Sequence, residues 1–365
     1  MTSNLSKVMK KYTTSVQAPE EAGHVDRLLL DSPRLNYNFG GGFPLGRIVE
    51  FFGPESGGKS VLSWYIGGHI QRREKQNVVL ILDYERTFNS KYARTAGLEL
   101  DPDKLIIIRP LTGEEGFQIA QEMVETGDIG LIIIDSLAAI PAGKAVDSDY
   151  GKGFVGPAAL ISSALVKFNP YLDRFKTSLI NINQERDDIG GFSPVPGMVA
   201  KKTPGGAAPR YWASWRARVT RTQDIKVKGV AVGNGIKVTN KKNKIGVPKR
   251  VSEMVLYYGS GFDVMEEYVS FIADKEMGLA DIRGAWIYGL DGTPLEGQKF
   301  QGRANLSEWL LQNPGVLEAC KLHITAKFEQ NLSTDVDPDE DIPGEEESPA
   351  DWETFAAQPT GDSDD

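Results

Sequence analysis

Short runs of apolar residues recur along the first half of the chain, and most of them end on polar side chains. Helix-like stretches such as "SVLSWYIGGHIQRRE" separate these runs, which is the spacing of strands that alternate with helices. The runs are "RIVEFFG", "NVVLILD", "KLIIIRP", "GLIIID" and "SLININ". Near-continuous apolar strands are typical of a parallel sheet covered by helices on both faces. The pattern therefore predicts an α/β core whose functional residues lie at the C-terminal ends of the strands.

The pattern changes after residue 184. Residues 185–210 are rich in Gly, Pro and small side chains, and so long a loop inside a compact domain is usually functional or disordered. Beyond it, "WRARVTRT", "GIKVTNKKNK" and "SEMVLYYGSG" alternate apolar with polar positions, which predicts antiparallel strands. We expect a core at 35–261, a small α+β C-terminal domain at 262–332 and a disordered acidic tail at 333–365.

The N-terminal segment, 1–34, is predicted to begin with a short amphipathic helix followed by a linker. Leu5, Val8, Met9 and Tyr12 fall at helical spacing and form one apolar stripe. So short a helix is not stable alone in water. Its stripe therefore needs a partner surface, either on its own chain or on a neighbouring subunit.

Charge is divided unevenly along the chain, whose formal net charge is −9. Residues 335–365 hold thirteen acids and no Lys, Arg or His, which leaves 37 acids against 41 Lys and Arg residues, or about +4, in residues 1–334. A mildly basic body with an acidic tail fits a protein that binds polyanions and moderates that binding, although such a tail also fits a purely solubilising role.

The single cysteine excludes an internal disulfide, and the apolar runs are too short to span a bilayer. Without a signal-peptide pattern, a cytoplasmic protein is expected.

The segment "GPESGGKS" matches the phosphate-binding pattern G-x-x-x-x-G-K-[ST] and lies between a predicted strand and a predicted helix. In such loops glycines allow backbone N–H groups to approach phosphates, the lysine reaches the β- and γ-phosphates, and the hydroxyl binds Mg²⁺. We therefore expect ATP and Mg²⁺ as ligands. The predicted contacts are Gly53, Pro54, Glu55, Ser56, Gly57, Gly58, Lys59, Ser60 and Val61.

Polar residues at the ends of three other strands supply candidates for the chemistry. Asp135, which ends "LIIID", is placed to share the metal with Ser60. Hydrolysis also needs a group that positions the attacking water, and Asp83 and Glu85 in "LILDYER" are equal candidates by spacing alone. Gln184, at the end of "ININQ", could sense the γ-phosphate.

With these motifs in order, the chain resembles the bacterial RecA-type homologous recombinases over roughly residues 35–335. "GGGFPLGRIVEFFGPESGGKSVL", "DYERTFNSKYARTAGLEL", "LIIIDSLAAI" and "NINQ" are similar to the nucleotide-binding segments of that family. The resemblance implies that Glu85 is the catalytic base, that Tyr92 lies against the adenine and that Gln184 senses the γ-phosphate. It further implies a P-loop ATPase core of the RecA type and a C-terminal domain that acts as a DNA gateway. The N-terminal helix then serves oligomerisation, and the departures from the family pattern fit a phage-encoded or a distant bacterial member.

The basic stretch "KKNKIGVPKR" at 241–250 resembles the segment of the family that reaches across the filament interface. By that resemblance Lys242 and Lys244 act on the ATP of the neighbouring subunit, in the manner of an arginine finger. Lys249 and Arg250 have no such role and are expected on the surface.

The Gly-rich loop after Gln184 resembles the second DNA-binding loop of the family. The expected DNA contacts are Arg186, Phe192, Lys201, Lys202, Gly205, Gly206 and Arg210, together with Lys167 on a preceding helix. The chain departs from the family pattern at Asp187, Asp188 and Leu160. The implied function is a DNA-dependent ATPase that forms helical filaments on single-stranded DNA and exchanges strands with duplex DNA, with single-strand-binding or mediator proteins as further partners. A hexameric helicase of the same fold and an ATP-switched DNA-binding mediator are the alternatives.

Overall fold

The computed structural model describes residues 23–141, 157–187 and 201–334, together with positions 4, 7, 10 and 11 near the N-terminus. Those four positions are helical. The apolar stripe Leu5, Val8, Met9 and Tyr12, residues 335–365 of the acidic tail and residues 188–200 of the loop lie outside the described residues.

A nine-stranded sheet forms the core, in the strand order β13-β12-β11-β10-β3-β7-β6-β4-β5. The strands from β3 to β5 in this order are parallel to one another, and β10 pairs with β3 in parallel. On its other side β10 begins an antiparallel series in which each of β10, β11, β12 and β13 runs opposite to the next, as the sequence pattern predicts. The strands are β3 (Ile48–Gly53), β4 (Val78–Asp83), β5 (Leu105–Ile108), β6 (Ile129–Asp135), β7 (Ser178–Gln184), β10 (Trp215–Val227), β11 (Val230–Asn243), β12 (Val251–Tyr257) and β13 (Gly261–Phe262).

Two apolar layers, one on each face of the sheet, bury its strands under helices. Phe51, Ile81 and Ile133 face one layer, and Leu80, Ile132 and Leu179 face the other. Successive residues of one strand thus contribute to opposite layers, which explains why the parallel strands read as continuous apolar runs. The covering helices are α1 (Pro33–Phe39), α2 (Lys59–Gln71), α3 (Ser90–Thr95), α4 (Gly113–Glu125), α5 (Pro157–Phe175) and the short α6 (Ala208–Trp212).

Within the segment predicted as a linker, the chain is structured from Arg27 onward. Arg27–Leu28 (β1) pairs with Phe43–Pro44 (β2) in an antiparallel ladder. Ser32 caps the helix that follows, because its hydroxyl accepts a hydrogen bond from the backbone N–H of Leu35.

The C-terminal domain has an apolar core of its own, built from a three-stranded antiparallel sheet and three helices. It rests against α1, where the Tyr37 and Phe328 rings lie 4.8 Å apart. Its elements are α7 (Val264–Ile272), β14 (Ala280–Arg283), β15 (Trp286–Gly289), β16 (Lys299–Gln301), α8 (Gly302–Gln312) and α9 (Pro314–Thr334). No helix within the described ranges is both long and apolar enough to cross a membrane.

Candidate functional site

The phosphate-binding pattern forms the turn between β3 and α2, where its glycines are required by space as well as by conformation. Gly53 and Gly58 have positive φ values of 148° and 95°. A Cβ atom on Gly53 would lie 2.3 Å from the carbonyl oxygen of Val219, and one on Gly58 would lie 2.5 Å from Cδ1 of Ile236. The loop is therefore held against β10 and β11, with the N-terminus of α2 directed at it, which is a geometry suited to an anion.

Lys59, the first residue of α2, folds its side chain back over this loop. Its Nζ donates hydrogen bonds to the carbonyl oxygens of Pro54, at 2.6 Å, and Gly53, at 3.2 Å. Burial lowers the pKa of Lys59, although Asp135 and Glu85 nearby favour its charged form. The ammonium group is thus positioned at the loop that would hold phosphates.

Ser60 and Asp135 bring two hard oxygen ligands together. The Ser60 hydroxyl donates a 2.7 Å hydrogen bond to Oδ2 of Asp135, which ends β6. Burial raises the pKa of Asp135 to about 6, while the Ser60 hydrogen bond acts in the opposite direction. A hydroxyl and a carboxylate beside a phosphate loop fit the oxygen-ligand chemistry of Mg²⁺.

The two acids after β4 have different environments. Asp83 is only 2% exposed. Its carboxylate accepts hydrogen bonds from the backbone N–H of Thr87 at 3.0 Å and from Nε of Arg109 at 3.0 Å. Glu85 instead lines the cavity beside the phosphate loop. Its Oε1 accepts a 3.1 Å hydrogen bond from Nε2 of Gln184 and a second one from the Ser136 hydroxyl.

These groups line one open cavity of about 660 Å³. Tyr92, half exposed, also lines it. Sequence reasoning missed a further part of the lining, to which Arg221, Asn234, Tyr257 and Tyr258 contribute. Tyr257 is the last residue of the alternating strand β12 and Tyr258 follows it, and that position could have marked them. The full lining comprises Glu55, Ser56, Gly57, Gly58, Lys59, Ser60, Val61, Glu85, Thr87, Tyr92, Thr95, Ala96, Asp135, Ile182, Gln184, Arg221, Asn234, Ile236, Leu256, Tyr257 and Tyr258.

The loop after Gln184 is closed at its base by a short antiparallel ladder, Arg186–Asp187 (β8) with Lys201–Lys202 (β9). All four side chains are exposed. Lys201 forms an ion pair with Asp187, so one of the predicted DNA contacts already has an acidic partner in this structure. Phe192 and Asp188 lie outside the described residues.

The remaining predicted DNA contacts are placed on two separate surfaces. Gly205 is buried and Gly206 exposed just before α6, and Arg210 is exposed on that helix. Lys167 lies apart from them, in a groove between α4 and α5 that Leu160 also lines.

A buried hydrogen-bond network joins the two ends of this loop to the cavity. Nδ2 of Asn183 donates to Oε1 of Glu50 and to the carbonyl oxygen of Pro204, both at 3.0 Å. The Asn183 Oδ1 accepts a 3.0 Å hydrogen bond from the backbone N–H of Gln184. Arg216 completes the network with a 2.6 Å ion pair to Glu50. Gln184 is therefore connected both to Glu85 in the cavity and to the end of the loop.

Lys242 and Lys244 do not line the cavity of their own protomer. Both Nζ atoms donate to the carbonyl oxygen of Tyr211, each at 3.0 Å, and Lys242 also donates to that of Arg210. The structure differs from expectation at Arg250, which is only 7% exposed. Its guanidinium donates to the carbonyl oxygen of Tyr37 at 2.8 Å and stacks on the ring of the same residue, and these contacts hold it in the interior.

Comparison with known proteins agrees with this arrangement. The family model of the RecA N-terminal domain matches residues 3–263. The chain belongs to the RecA family. The RecA protein of Enterococcus faecalis is 34% identical over 313 residues, which cover 85% of each chain. That of Lactobacillus delbrueckii is 33% identical over 289 residues, covering 79% of this chain and 74% of the relative, and that of Bacillus thuringiensis is 34% identical over 279 residues, covering 76% and 77%.

As a member of the RecA family, the protein is a DNA-dependent ATPase that acts in recombination and repair. The family resemblance read from the motifs is thereby confirmed over most of the chain. Family membership also accounts for nucleotide and DNA binding in general terms, whereas the roles of individual residues rest on the geometry described above.

Proposed function

We propose that this RecA-family ATPase completes its active site between two protomers of a helical filament on single-stranded DNA. The observation that carries the proposal is the division of the candidate groups. Binding and water-positioning groups surround one cavity, whereas Lys242 and Lys244 lie outside it on the same protomer.

Within the cavity, the loop glycines and Lys59 bind the phosphates of ATP through N–H groups and an ammonium group. Ser60 and Asp135 hold Mg²⁺, which neutralises charge on the phosphate oxygens when it is bound. Glu85 orients the attacking water and accepts its proton, since its carboxylate lines the cavity while Asp83 is engaged in the adjacent turn. Tyr92 forms one wall of the base-binding end.

Gln184 links the nucleotide to the DNA-binding loop. Its side chain donates to Glu85, and its backbone N–H donates to Asn183, which in turn holds Pro204 near the end of the loop. A γ-phosphate that draws the Gln184 amide toward itself would pull on the residue where the loop begins. Nucleotide binding thus orders the DNA-binding surface.

The partner for Lys242 and Lys244 is the ATP of the adjacent protomer, where their two charges stabilise the transferring phosphoryl group. A head-to-tail contact of this kind does not close on itself and produces a helical filament. Hydrolysis removes the anion that both subunits share, so the filament dissociates.

Along the filament, Arg186, Lys202 and Arg210 contact DNA phosphates, and Phe192 inserts among bases. Lys201 exchanges Asp187 for a phosphate when DNA binds. Such binding weakens with salt, because each phosphate contact releases counterions.

Electron microscopy of the protein with single-stranded DNA and a non-hydrolysable ATP analogue tests the assembly, and a strand-exchange assay tests the activity. Helical filaments and joint-molecule formation are expected. Closed rings without filaments would instead indicate a hexameric helicase, and negligible DNA-stimulated turnover would indicate an ATP-switched mediator.

A further inference from the structure

The turn that follows Lys244 is held from outside by a residue far away in the sequence. Nη2 of Arg27 donates a 2.6 Å hydrogen bond to the carbonyl oxygen of Ile245, across 218 positions of the chain. Nη1 of the same guanidinium donates to the carbonyl oxygens of Phe39, at 2.9 Å, and Gly42, at 3.3 Å. One planar group thus joins the end of α1 and the glycine loop to the turn.

Arg27 is itself fixed. It pairs with Pro44 in the β1–β2 ladder, and the neighbouring carbonyl oxygen of Asp26 accepts a 2.8 Å hydrogen bond from the N–H of Leu45. Gly40 lies beside the guanidinium, since a Cβ placed there would be in ordinary van der Waals contact with both Nη atoms, at 3.9 Å, and its positive φ of 84° favours glycine. A fixed backbone and a rigid fork of donors make Arg27 a firm anchor.

The turn has two further attachments. Oδ1 of Asn243 accepts from the N–H of Ile245 at 3.0 Å, and its Nδ2 donates to the carbonyl oxygen of Val247 at 3.1 Å. The backbone N–H of Lys244 donates to the carbonyl oxygen of Ser214 at 2.8 Å. The Asn243 bonds organise the turn internally and the Lys244 bond continues the ladder between β10 and β11, whereas Arg27 connects the turn to the end of α1 and the glycine loop.

We propose that Arg27 is a positioning residue that fixes the 243–247 turn so that Lys242 and Lys244 reach the neighbouring protomer's ATP at the correct place. This rests on the function proposed above for the two lysines. Long lysine side chains have high rotational freedom, so the backbone from which they extend must be held if both are to meet one phosphoryl group. Displacement of such groups by about 1 Å can reduce a rate by about 100-fold.

A comparison of variants in two backgrounds tests the proposal. Arg27→Lys keeps the positive charge but replaces the two-ended guanidinium by a single Nζ, which cannot reach both Ile245 and the glycine loop. We expect DNA-dependent kcat to fall about 10- to 100-fold, while binding of a fluorescent ATP analogue to the isolated protomer and thermal unfolding change little. Asn243→Ala, which loosens the same turn from within, should lower kcat in the same way even if a variant at Arg27 folds poorly.

The control is Arg72→Ala. Arg72 is an exposed arginine that pairs with Asp31 at 3.0 Å, near the same N-terminal segment, and its loss should leave turnover unchanged. The decisive arm repeats Arg27→Lys on the protein that already carries Lys242→Ala and Lys244→Ala.

No further loss of turnover is expected on that background, because the lysines that Arg27 positions are gone. The inference about Arg27 would be overturned if Arg27→Lys lowered kcat by the same factor in the wild type and in the double lysine variant. It would also be overturned if Arg27→Lys alone kept wild-type turnover. Normal turnover of the double lysine variant would instead refute the shared active site itself, so the two failures are distinguishable.

Discussion

Glu267 provides a quantitative test of the junction between the core and the C-terminal domain. It lies in α7, is 2% exposed, and its Oε2 accepts hydrogen bonds from the Ser32 hydroxyl at 2.7 Å and the Arg34 N–H at 3.3 Å. Its Oε1 has no hydrogen-bond partner among the described residues. Burial raises the pKa of this carboxyl from 4.5 to about 7, against the opposing effect of the Ser32 hydrogen bond.

The sign of the effect on stability follows from the order of the two pKa values. Between about pH 4.5 and 7 the unfolded chain releases this proton while the folded chain retains it. The free energy of unfolding therefore falls as the pH rises through this interval. Above about pH 7 the folded protein carries the full cost of an ionised, buried Glu267 carboxylate. The difference between the pKa values of Glu267 in the unfolded and folded chains corresponds to a loss of stability of roughly 3 kcal/mol, taken as an upper limit.

Glu267→Gln should remove most of that dependence on pH. The amide oxygen of the glutamine can still accept hydrogen bonds from Ser32 and Arg34. Its NH₂ group, however, takes the place of the unpaired Oε1 and is buried without an acceptor, which costs about 1 kcal/mol. The variant should be more stable than the wild type by roughly 2 kcal/mol at pH 8 and no more stable at pH 5.

Urea unfolding of the DNA-free protein, followed by tryptophan fluorescence at several pH values, measures this directly. Glu266→Gln is the matched control, because the neighbouring side chain is 41% exposed, against 2% for Glu267, and pairs with Arg303 at 3.2 Å. Its effect should stay within about 0.5 kcal/mol at every pH. Parallel stability profiles for the wild type and Glu267→Gln would refute the reasoning.

The other predictions concern turnover. Lys59→Ala should abolish productive ATP binding, measured by equilibrium binding of a fluorescent analogue, and retained affinity with normal hydrolysis would contradict its role. Glu85→Gln should bind ATP and form filaments that persist under electron microscopy, with hydrolysis reduced about 100- to 10,000-fold; filaments that disassemble at the normal rate would argue against it as the base. Lys242→Ala with Lys244→Ala should keep nucleotide binding by the isolated protomer and lose DNA-dependent turnover by about 1,000-fold or more, as steady-state assays with and without DNA would reveal.

Local pattern was sufficient for the core of the fold and for part of the site. Asp83, Asp135 and Gln184 are the last residues of three parallel strands that are buried along almost their whole length, so each buried run ends on a polar side chain. The C-terminal ends of parallel strands lie at the same edge of the sheet, so the sequence could place these groups near the phosphate loop without knowledge of any contact.

Contacts between distant parts of the chain lay beyond that reasoning. Arg250 is an ordinary basic residue in a basic stretch, and only the fold shows that Tyr37 supplies both its carbonyl acceptor and its stacked ring. Arg221 and Asn234 join the cavity because β10 and β11 pass behind the phosphate loop. No spacing along the sequence encodes that approach.

Lys242 and Lys244 lie close together on the surface of their own protomer, outside its cavity. Two ammonium groups donate to the single carbonyl oxygen of Tyr211, so two like charges converge within hydrogen-bond distance of one neutral atom. Water and salt strongly screen the repulsion between the two ammonium groups at the surface. If an interface buried them together without an anion, the repulsion would be much stronger. A triphosphate brought up by a neighbouring subunit would offer several anionic oxygens in place of these neutral carbonyl acceptors and would offset the repulsion between the two ammonium groups. The same electrostatics would therefore favour ATP-bound assembly over the isolated protomer, and would remove that preference once the phosphate has left.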